Sequence, residues 1–202
     1  MKQRIIGITG GIATGKTTVS DYLHNTYGLP ILDADLYARQ ALNGERLSKV
    51  CDRYGKLVTD EQGQLDRRKL GTIIFSSTVE RQWLEKLIHP YVKQSLVSEA
   101  KRLESSTLVM VIPLLFEAKM QGLVSETWVI ACDYQQQLKR LINRNHLSKN
   151  EAIERIASQM PQSEKIELAD VVIVNSDNAE ELFFQVDNAL FNSPLGLFLN
   201  VM

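Results

Sequence analysis

The sequence predicts a doubly wound α/β fold, in which helices cover both faces of a parallel sheet of about five strands. Three observations lead to this prediction. Short apolar runs rich in β-branched residues recur along the chain, and they are continuous, as in strands buried on both faces. Segments with helical spacing of apolar residues separate these runs. A glycine cluster joins the first apolar run directly to the first helical segment.

The elements follow in order from the amino end. A buried strand is predicted at residues 5–9, where the apolar run enters a glycine turn. Apolar residues three and four positions apart predict a helix over 17–27, and Gly28 with Pro30 marks its end. The other strands are predicted at residues 30–33, 107–112, 127–131 and 170–174.

A mostly helical insertion is predicted between residues 36 and 106. Strand signals are weak there, and apolar residues recur at helical spacing from Leu84 to Leu96. Pro90 interrupts that spacing. Because proline removes a backbone donor and clashes with the preceding turn, we expect a break or kink near His89.

Length and composition limit the classes of protein. A chain of 202 residues suits one domain, with a core of about 1–35 and 106–202 and a helical region of about 36–105. The net charge of -1 supplies no positive field for nucleic acid. Two cysteines far apart indicate neither a disulfide framework nor a zinc site. No apolar run spans a bilayer, the apolar end at 195–202 included. We expect a cytoplasmic monomer that binds neither nucleic acid nor membrane, with weak self-association left open.

The glycine cluster carries the chemistry. Residues 10–17, GGIATGKT, match G-x-x-x-x-G-K-[ST] in full between a predicted strand and a predicted helix. Glycines let successive backbone N–H groups turn toward one anion, and the helix start adds its positive dipole end. Lys16 would reach the β- and γ-phosphates of a nucleotide, and the Thr17 hydroxyl would bind Mg²⁺. The sequence therefore predicts a P-loop NTPase-type fold that binds MgATP.

A phosphate loop alone does not specify the reaction. A GTPase needs an N-K-x-D element, which the sequence lacks, and a motor or transport ATPase needs an apolar run that ends in a magnesium-directing Asp. The best candidate run, at residues 109–112, ends in Pro113. The small size and the helical insertion favour a small-molecule kinase, which encloses two substrates and excludes water.

Two further features bear on catalysis. Asp33 and Asp35 lie where the second predicted strand ends, so both carboxylates should face the crevice that Lys16 faces. One would accept the proton of a substrate hydroxyl, and the other would help to hold Mg²⁺. For either carboxylate alone, helix N-capping stays an open alternative. The arginine-rich segment at 137–168 favours, on pattern alone, a solvated helical face with ion pairs.

Six blocks together resemble the dephospho-coenzyme A kinase family. They are residues 8–16 (ITGGIATGK), 33–39 (DADLYAR), 65–67 (LDR), 88–90 (IHP), 113–117 (PLLFE) and 169–175 (ADVVIVN). They cover nearly the whole chain in the order of the family. The resemblance implies ATP-dependent phosphorylation of the ribose 3′-hydroxyl of dephospho-coenzyme A, the last step of coenzyme A synthesis.

The resemblance also implies roles for residues. Asp33 would be the base, and Asp33, Asp35 and Arg39 would bind the acceptor with the help of the helical region. A lid at about 137–160 would bring Arg140 and Arg144 to the transferred phosphate as catalytic residues with Lys16. Thr17 and Asp35 would hold the metal, and His89 would be structural. The residues assigned to ATP are Gly11, Ile12, Ala13, Thr14, Gly15, Lys16, Thr17, Thr18 and Asn175, the last near adenine.

The chain departs from the family pattern at two positions. Ala13 stands where the family commonly has glycine, so we expect this position to lose access to positive φ. Val111 stands where many relatives have Asp, so Thr17 with Asp33 or Asp35 must suffice for magnesium. Two other functions stay open: a nucleoside or nucleotide kinase with the same core, and a regulatory module that binds nucleotide without catalysis.

Overall fold

The computed structural model describes residues 3–176 and 178–192. The chain divides into two compact units, one of Met1–Asp33 with Ala100–Met202 and one of Ala34–Glu99. The apolar end at 195–202 lies outside the described residues. In chain order the elements are β1 (Arg4–Thr9), α1 (Lys16–Tyr27), β2 (Ile31–Asp33), α2 (Ala34–Ala41), α3 (Gly44–Tyr54), α4 (Arg67–Ser76), α5 (Thr78–Arg102), β3 (Thr107–Val111), β4 (Glu126–Ala131), α6 (Tyr134–Asn145), α7 (Lys149–Ala157), α8 (Gln162–Glu167), β5 (Val171–Val174) and α9 (Ala179–Asn192).

The first unit is built on a parallel sheet of five strands in the order β2-β3-β1-β4-β5. This confirms the predicted α/β class and all five predicted strands, each of which differs by one residue at one end. β1 lies at the centre, and its residues are buried along nearly the whole strand. Ile6 and Ile8 of β1 pack with α1 and α9 into one apolar core. The central position of β1 places the following glycine turn in the middle of the carboxyl edge of the sheet.

A buried ion pair crosses the amino end of this sheet. Arg4 is 5% exposed and Glu126 is 3% exposed, and the Arg4 Nε donates to Glu126 Oε1. The Arg4 Nη1 donates to the carbonyl oxygen of Leu190 at 2.7 Å, which ties β1 to α9. The Trp128 Nε1 donates to the other oxygen of Glu126 at 3.2 Å. Both charges therefore have hydrogen-bonding partners that offset part of their desolvation cost.

The second unit is helical apart from one isolated antiparallel bridge between Thr59 and Leu65. The side chain of Asp66 accepts hydrogen bonds from the backbone N–H groups of Arg68 and Lys69, and this N-cap begins α4. The apolar core of the unit consists of Leu42, Val50, Val58, Leu70 and Leu84.

Of the break or kink predicted near His89, the break is wrong, because α5 continues from Thr78 to Arg102 with Pro90 inside it, and the kink stays a prediction. Proline removes one donor from the helix ladder, but the apolar side chains on both sides of it are buried. Leu84 is 6% exposed and Val92 is 3% exposed. Burial of these residues offsets the local cost of the proline.

Within the described residues, no helix is both long enough and apolar enough to cross a membrane.

We expect Glu126→Ala to lower the free energy of unfolding by about 3–5 kcal/mol, because it leaves the Arg4 guanidinium buried without its carboxylate. Urea denaturation measures this loss. The matched control is Glu45→Ala, which removes an exposed partner of Lys49 and should cost less than about 1 kcal/mol. Equal losses in the two variants would contradict a structural role for the buried pair.

Candidate functional site

The glycine turn between β1 and α1 forms an open loop at the amino end of α1. Gly15 is the N-cap of α1, with φ of 104°, and among the described residues no side chain caps the helix through a hydrogen bond. The first turn of α1 also contains no acidic residue. Its N–H groups and the positive end of its dipole therefore suit an external anion.

The charge of Lys16 lies at this loop. Its side chain is half-buried, and its Nζ donates to the carbonyl oxygens of Gly10 at 3.0 Å and Gly11 at 2.8 Å. Thr17 and Thr18 follow in the first turn of α1 and are exposed. The loop therefore combines an ammonium group, an uncapped helix end and accessible residues with hydroxyl groups, which is the donor set that a polyphosphate and its Mg²⁺ need.

The two glycines that the motif requires, Gly10 and Gly15, have no room for a side chain. A Cβ on Gly10 would lie 2.3 Å from the carbonyl oxygen of Ile130, and one on Gly15 would lie 2.0 Å from Nδ2 of Asn175. Both residues also have positive φ. The motif glycines are therefore required by packing as well as by backbone conformation.

The expectation that Ala13 loses access to positive φ is wrong, because its φ is 62°. A non-glycine residue in this conformation costs about 1–2 kcal/mol. Ala13 lies against the apolar cluster formed by Leu138, Leu141 and Ala152 of the α6–α7 segment. This packing, together with the fixed residues around it, holds the loop in the strained conformation.

Asn175 and Arg140 join the loop from other parts of the chain. Asn175 follows β5, is 7% exposed, and its Nδ2 donates to the carbonyl oxygen of Thr14 at 2.9 Å. The Arg140 Nη2 on α6 donates to Asn175 Oδ1 at 3.2 Å. The Asn175 side chain supports the loop in this structure, and its contact with adenine stays a prediction.

The structure separates the two predicted lid arginines by their surroundings. Arg140 is half-buried beside the loop, whereas Arg144 is exposed one turn later and contacts Asn145 Oδ1 at 3.0 Å. Because they are four positions apart in α6, Arg140 and Arg144 lie on the same face of the helix. The segment is more than the solvated face that its pattern favours, because Leu138 and Leu141 pack with Ala152 into a small core.

Asp33 lies at the same edge of the sheet as the loop. It is the exposed last residue of β2 and pairs with Val111 of β3, which in turn pairs with Ile8 of β1. Two strand spacings separate the backbone of Asp33 from that of Ile8, a distance of about 10 Å. This is a position from which a carboxylate can face a substrate bound beside the loop.

Asp35 and Arg39 belong to the second unit. Both are exposed on α2, in its first and last turns. The Arg67 Nη2 donates to the carbonyl oxygen of Arg39 at 2.9 Å, so a second arginine lies beside this position.

Burial lowers the pKa of His89 on α5 below its ordinary value, and the charge of Glu85 opposes this with a smaller effect. The structural role predicted for His89 stays a prediction.

The acidic residue of the 113–117 block holds the end of the predicted lid. Glu117 Oε1 accepts hydrogen bonds from Lys165 Nζ at 2.8 Å and from the N–H of Met160 at 3.1 Å. Lys165 is fully buried and also donates to the carbonyl oxygen of Pro113, which accepts from the Thr9 hydroxyl as well. The block therefore connects the end of β1 with the segment that leads into α8.

Sequence reasoning missed two glutamines that contact the loop. The Ile12 N–H donates to Gln159 Oε1 at 2.7 Å, and Gln137 Nε2 donates to the Ile12 carbonyl oxygen at 2.8 Å. A glutamine has no charge and belongs to none of the motifs, so no sequence signal marked either one. The contacts join residues that are 147 and 125 positions apart.

No group of three or more His, Cys, Asp or Glu side chains within the described ranges is arranged to hold a metal. Thr17 and Asp35 stay the predicted protein ligands.

The chain is similar to known proteins over nearly its full length. The family model described as dephospho-CoA kinase matches residues 4–181. A curated dephospho-CoA kinase from Synechocystis sp. is 51% identical over 191 residues, which are 93% of this chain and 95% of the relative. The solved structure of TT1252 from Thermus thermophilus is 33% identical, with a TM-score of 0.82 over 95% of this chain and 98% of that one. The structure of a dephospho-CoA kinase from Campylobacter jejuni is 25% identical, with a TM-score of 0.61 over 94% and 97% of the two chains.

We expect Ala13→Gly to raise the free energy of unfolding by about 0.5–1 kcal/mol, because glycine adopts positive φ without strain. Urea denaturation of the nucleotide-free protein measures the change. The control is Ala157→Gly, a helical position in α7, which should lower stability. A loss at position 13 as large as the loss at position 157 would refute the strain at Ala13.

Proposed function

The chain belongs to the dephospho-CoA kinase family, and from this membership we propose that it transfers the γ-phosphoryl group of ATP to the ribose 3′-hydroxyl of dephospho-coenzyme A. The observation that carries the proposal is the joint position of three groups at one edge of the sheet. They are the Lys16 ammonium in the uncapped loop, the Asp33 carboxylate at the end of β2, and the Arg140 guanidinium beside the loop.

The donor would be bound by the loop and α1. The N–H groups of the loop and of the first turn of α1 would bind the phosphates, and Lys16 would exchange its carbonyl partners for phosphate oxygens. The Thr17 hydroxyl and Asp35 would hold Mg²⁺, which offsets phosphate charge when bound. Arg140 and Arg144 would bind the oxygens of the transferred group, where negative charge develops. Asn175 would act beside adenine while it supports Thr14.

The acceptor would approach from the side of β2. Asp33 would orient the ribose hydroxyl and accept its proton as the oxygen attacks the γ-phosphorus, and ADP would leave on the opposite side. Its exposure suits this role, because a substrate hydroxyl can reach the carboxylate. Asp35 and Arg39 on α2 would bind the acceptor, with further contacts from the helical unit.

The proposal describes a cytoplasmic enzyme that acts as a monomer, with weak self-association left open. The near-zero net charge supports the absence of nucleic acid from its partners. Neither Cys51 nor Cys132 forms a disulfide, which suits a reducing compartment. No part of the proposed reaction needs a membrane.

The reaction is tested by mass spectrometry of the protein incubated with MgATP and dephospho-coenzyme A, with adenosine and nucleoside monophosphates as parallel acceptors. We expect a mass gain of one phosphoryl group only on dephospho-coenzyme A. Transfer only to a nucleoside or nucleotide would replace the acceptor and leave the donor site in place. Transfer to none of them would favour a regulatory module.

We expect Asp33→Asn to lower turnover by about 10²–10⁴-fold, because the amide cannot accept the hydroxyl proton. Calorimetric affinity for ATP should stay within about twofold, because in the proposed arrangement Asp33 would touch the acceptor rather than the donor. Asp21→Asn, an exposed carboxylate on α1, is the matched control and should keep full turnover. Normal turnover of Asp33→Asn would remove Asp33 from the reaction.

We expect Lys16→Ala, in contrast to Asp33→Asn, to weaken ATP binding and turnover together.

A further inference from the structure

Ile12 differs from its neighbours in the phosphate loop, because glutamine side chains hold both polar groups of its backbone. Gln159 accepts from its N–H at 2.7 Å, and Gln137 donates to its carbonyl oxygen at 2.8 Å. Gln137 is 5% exposed. A Cβ on Gly11 would lie 2.5 Å from Gln137 Nε2, so the glycine is what lets the amide approach the backbone.

The two glutamines also lie at opposite ends of the predicted lid at 137–160. Gln137 is in the first turn of α6, and Gln159 follows the end of α7. The next residue, Met160, is held through its N–H by Glu117, and Glu117 is paired with the buried Lys165. The backbone next to Gln159 is therefore fixed to the first unit through the hydrogen bond of Met160.

The two glutamine contacts hold the backbone of the loop through the protein's own side chains. The strained residue Ala13 comes directly after Ile12, so the clamped peptide determines the direction in which the chain enters the positive-φ turn. The Ile12 N–H is occupied by Gln159, whereas the N–H groups from Gly15 onward begin α1 at its uncapped end. Ile12 would therefore contribute to phosphate binding through the shape of the loop rather than through its own N–H.

We infer that Gln137 and Gln159 are positioning residues that hold the Ile12 peptide, and with it the phosphate loop, in the conformation that binds polyphosphate. The inference rests on the proposed function in so far as ATP is the polyphosphate. Preorganisation of this kind raises affinity, because no part of the free energy of binding is used to order the loop. The chemical step itself would depend on Arg140, which reaches the loop through Asn175 and not through the glutamines.

The test compares Gln137→Met and Gln159→Met with the wild-type protein, using inorganic tripolyphosphate and ATP as separate probes in calorimetry. Loss of one hydrogen bond to the loop should raise the Kd for both probes by about 3–10-fold. The double variant should lose less than the product of the two single losses, because both side chains act on one peptide. In kinetics with dephospho-coenzyme A, KM for ATP should rise in the same proportion and kcat should change by less than about twofold.

The matched control is Gln3→Met. Gln3 donates to the carbonyl oxygens of Leu103 and Ser105, at the amino end of β1 and far from the loop. Its loss should lower stability without changing either Kd. A second readout needs no ligand: hydrogen exchange of the Ile12 amide in the nucleotide-free protein should accelerate at least about 10-fold in Gln159→Met and stay unchanged in Gln3→Met.

The outcomes separate this inference from the proposed function. An unchanged Kd for tripolyphosphate in both glutamine variants, or an equal loss in Gln3→Met, would overturn the inference. Slow exchange of the Ile12 amide in Gln159→Met would overturn it as well. Normal tripolyphosphate and ATP binding by the wild-type protein without transfer to dephospho-coenzyme A would overturn the proposed function and leave the positioning role intact.

Discussion

The structure depends on the turn between β1 and α1, where the N–H groups that begin α1 have no capping side chain among the described residues. A capping side chain would stabilise α1 but would also occupy the proposed phosphate site. The loop is held instead from its other side. Its carbonyl oxygens accept from Lys16, Gln137 and Asn175, and these bonds occupy none of the N–H groups in the first turn of α1.

The order of the strands determines what surrounds this loop. Because β1 is central, its neighbours β3 and β4 bring residues that follow them to both sides of the turn. β2 lies beyond β3 and brings Asp33, and β5 lies beyond β4 and brings Asn175. The donor site and the proposed base therefore lie at one edge because parallel strands end at the same edge of the sheet.

Two residues in and around the loop have a free-energy cost in the folded protein. Ala13 has an unfavourable backbone conformation, and Lys165 is a fully buried cation whose charge is offset by Glu117 and the Pro113 carbonyl. Such costs are tolerated where the surrounding residues leave no alternative arrangement. Here the surrounding residues are the apolar cluster of α6 and α7 and the α/β core. Their packing stabilises the folded protein enough to keep the loop in its strained conformation.

The sequence by itself determined the features that depend on a few consecutive residues. The five strands follow from runs of apolar residues, the phosphate loop follows from its glycines and Lys16, and the end of β2 locates Asp33. The tertiary structure alone decided the positive φ of Ala13, the continuity of α5 through Pro90, and the contacts of Gln137, Gln159 and Asn175. Local preference opposes the first two, and burial of distant neighbours outweighs it. The amide contacts join residues more than a hundred positions apart through uncharged groups, which leave no periodicity or charge pattern in the chain.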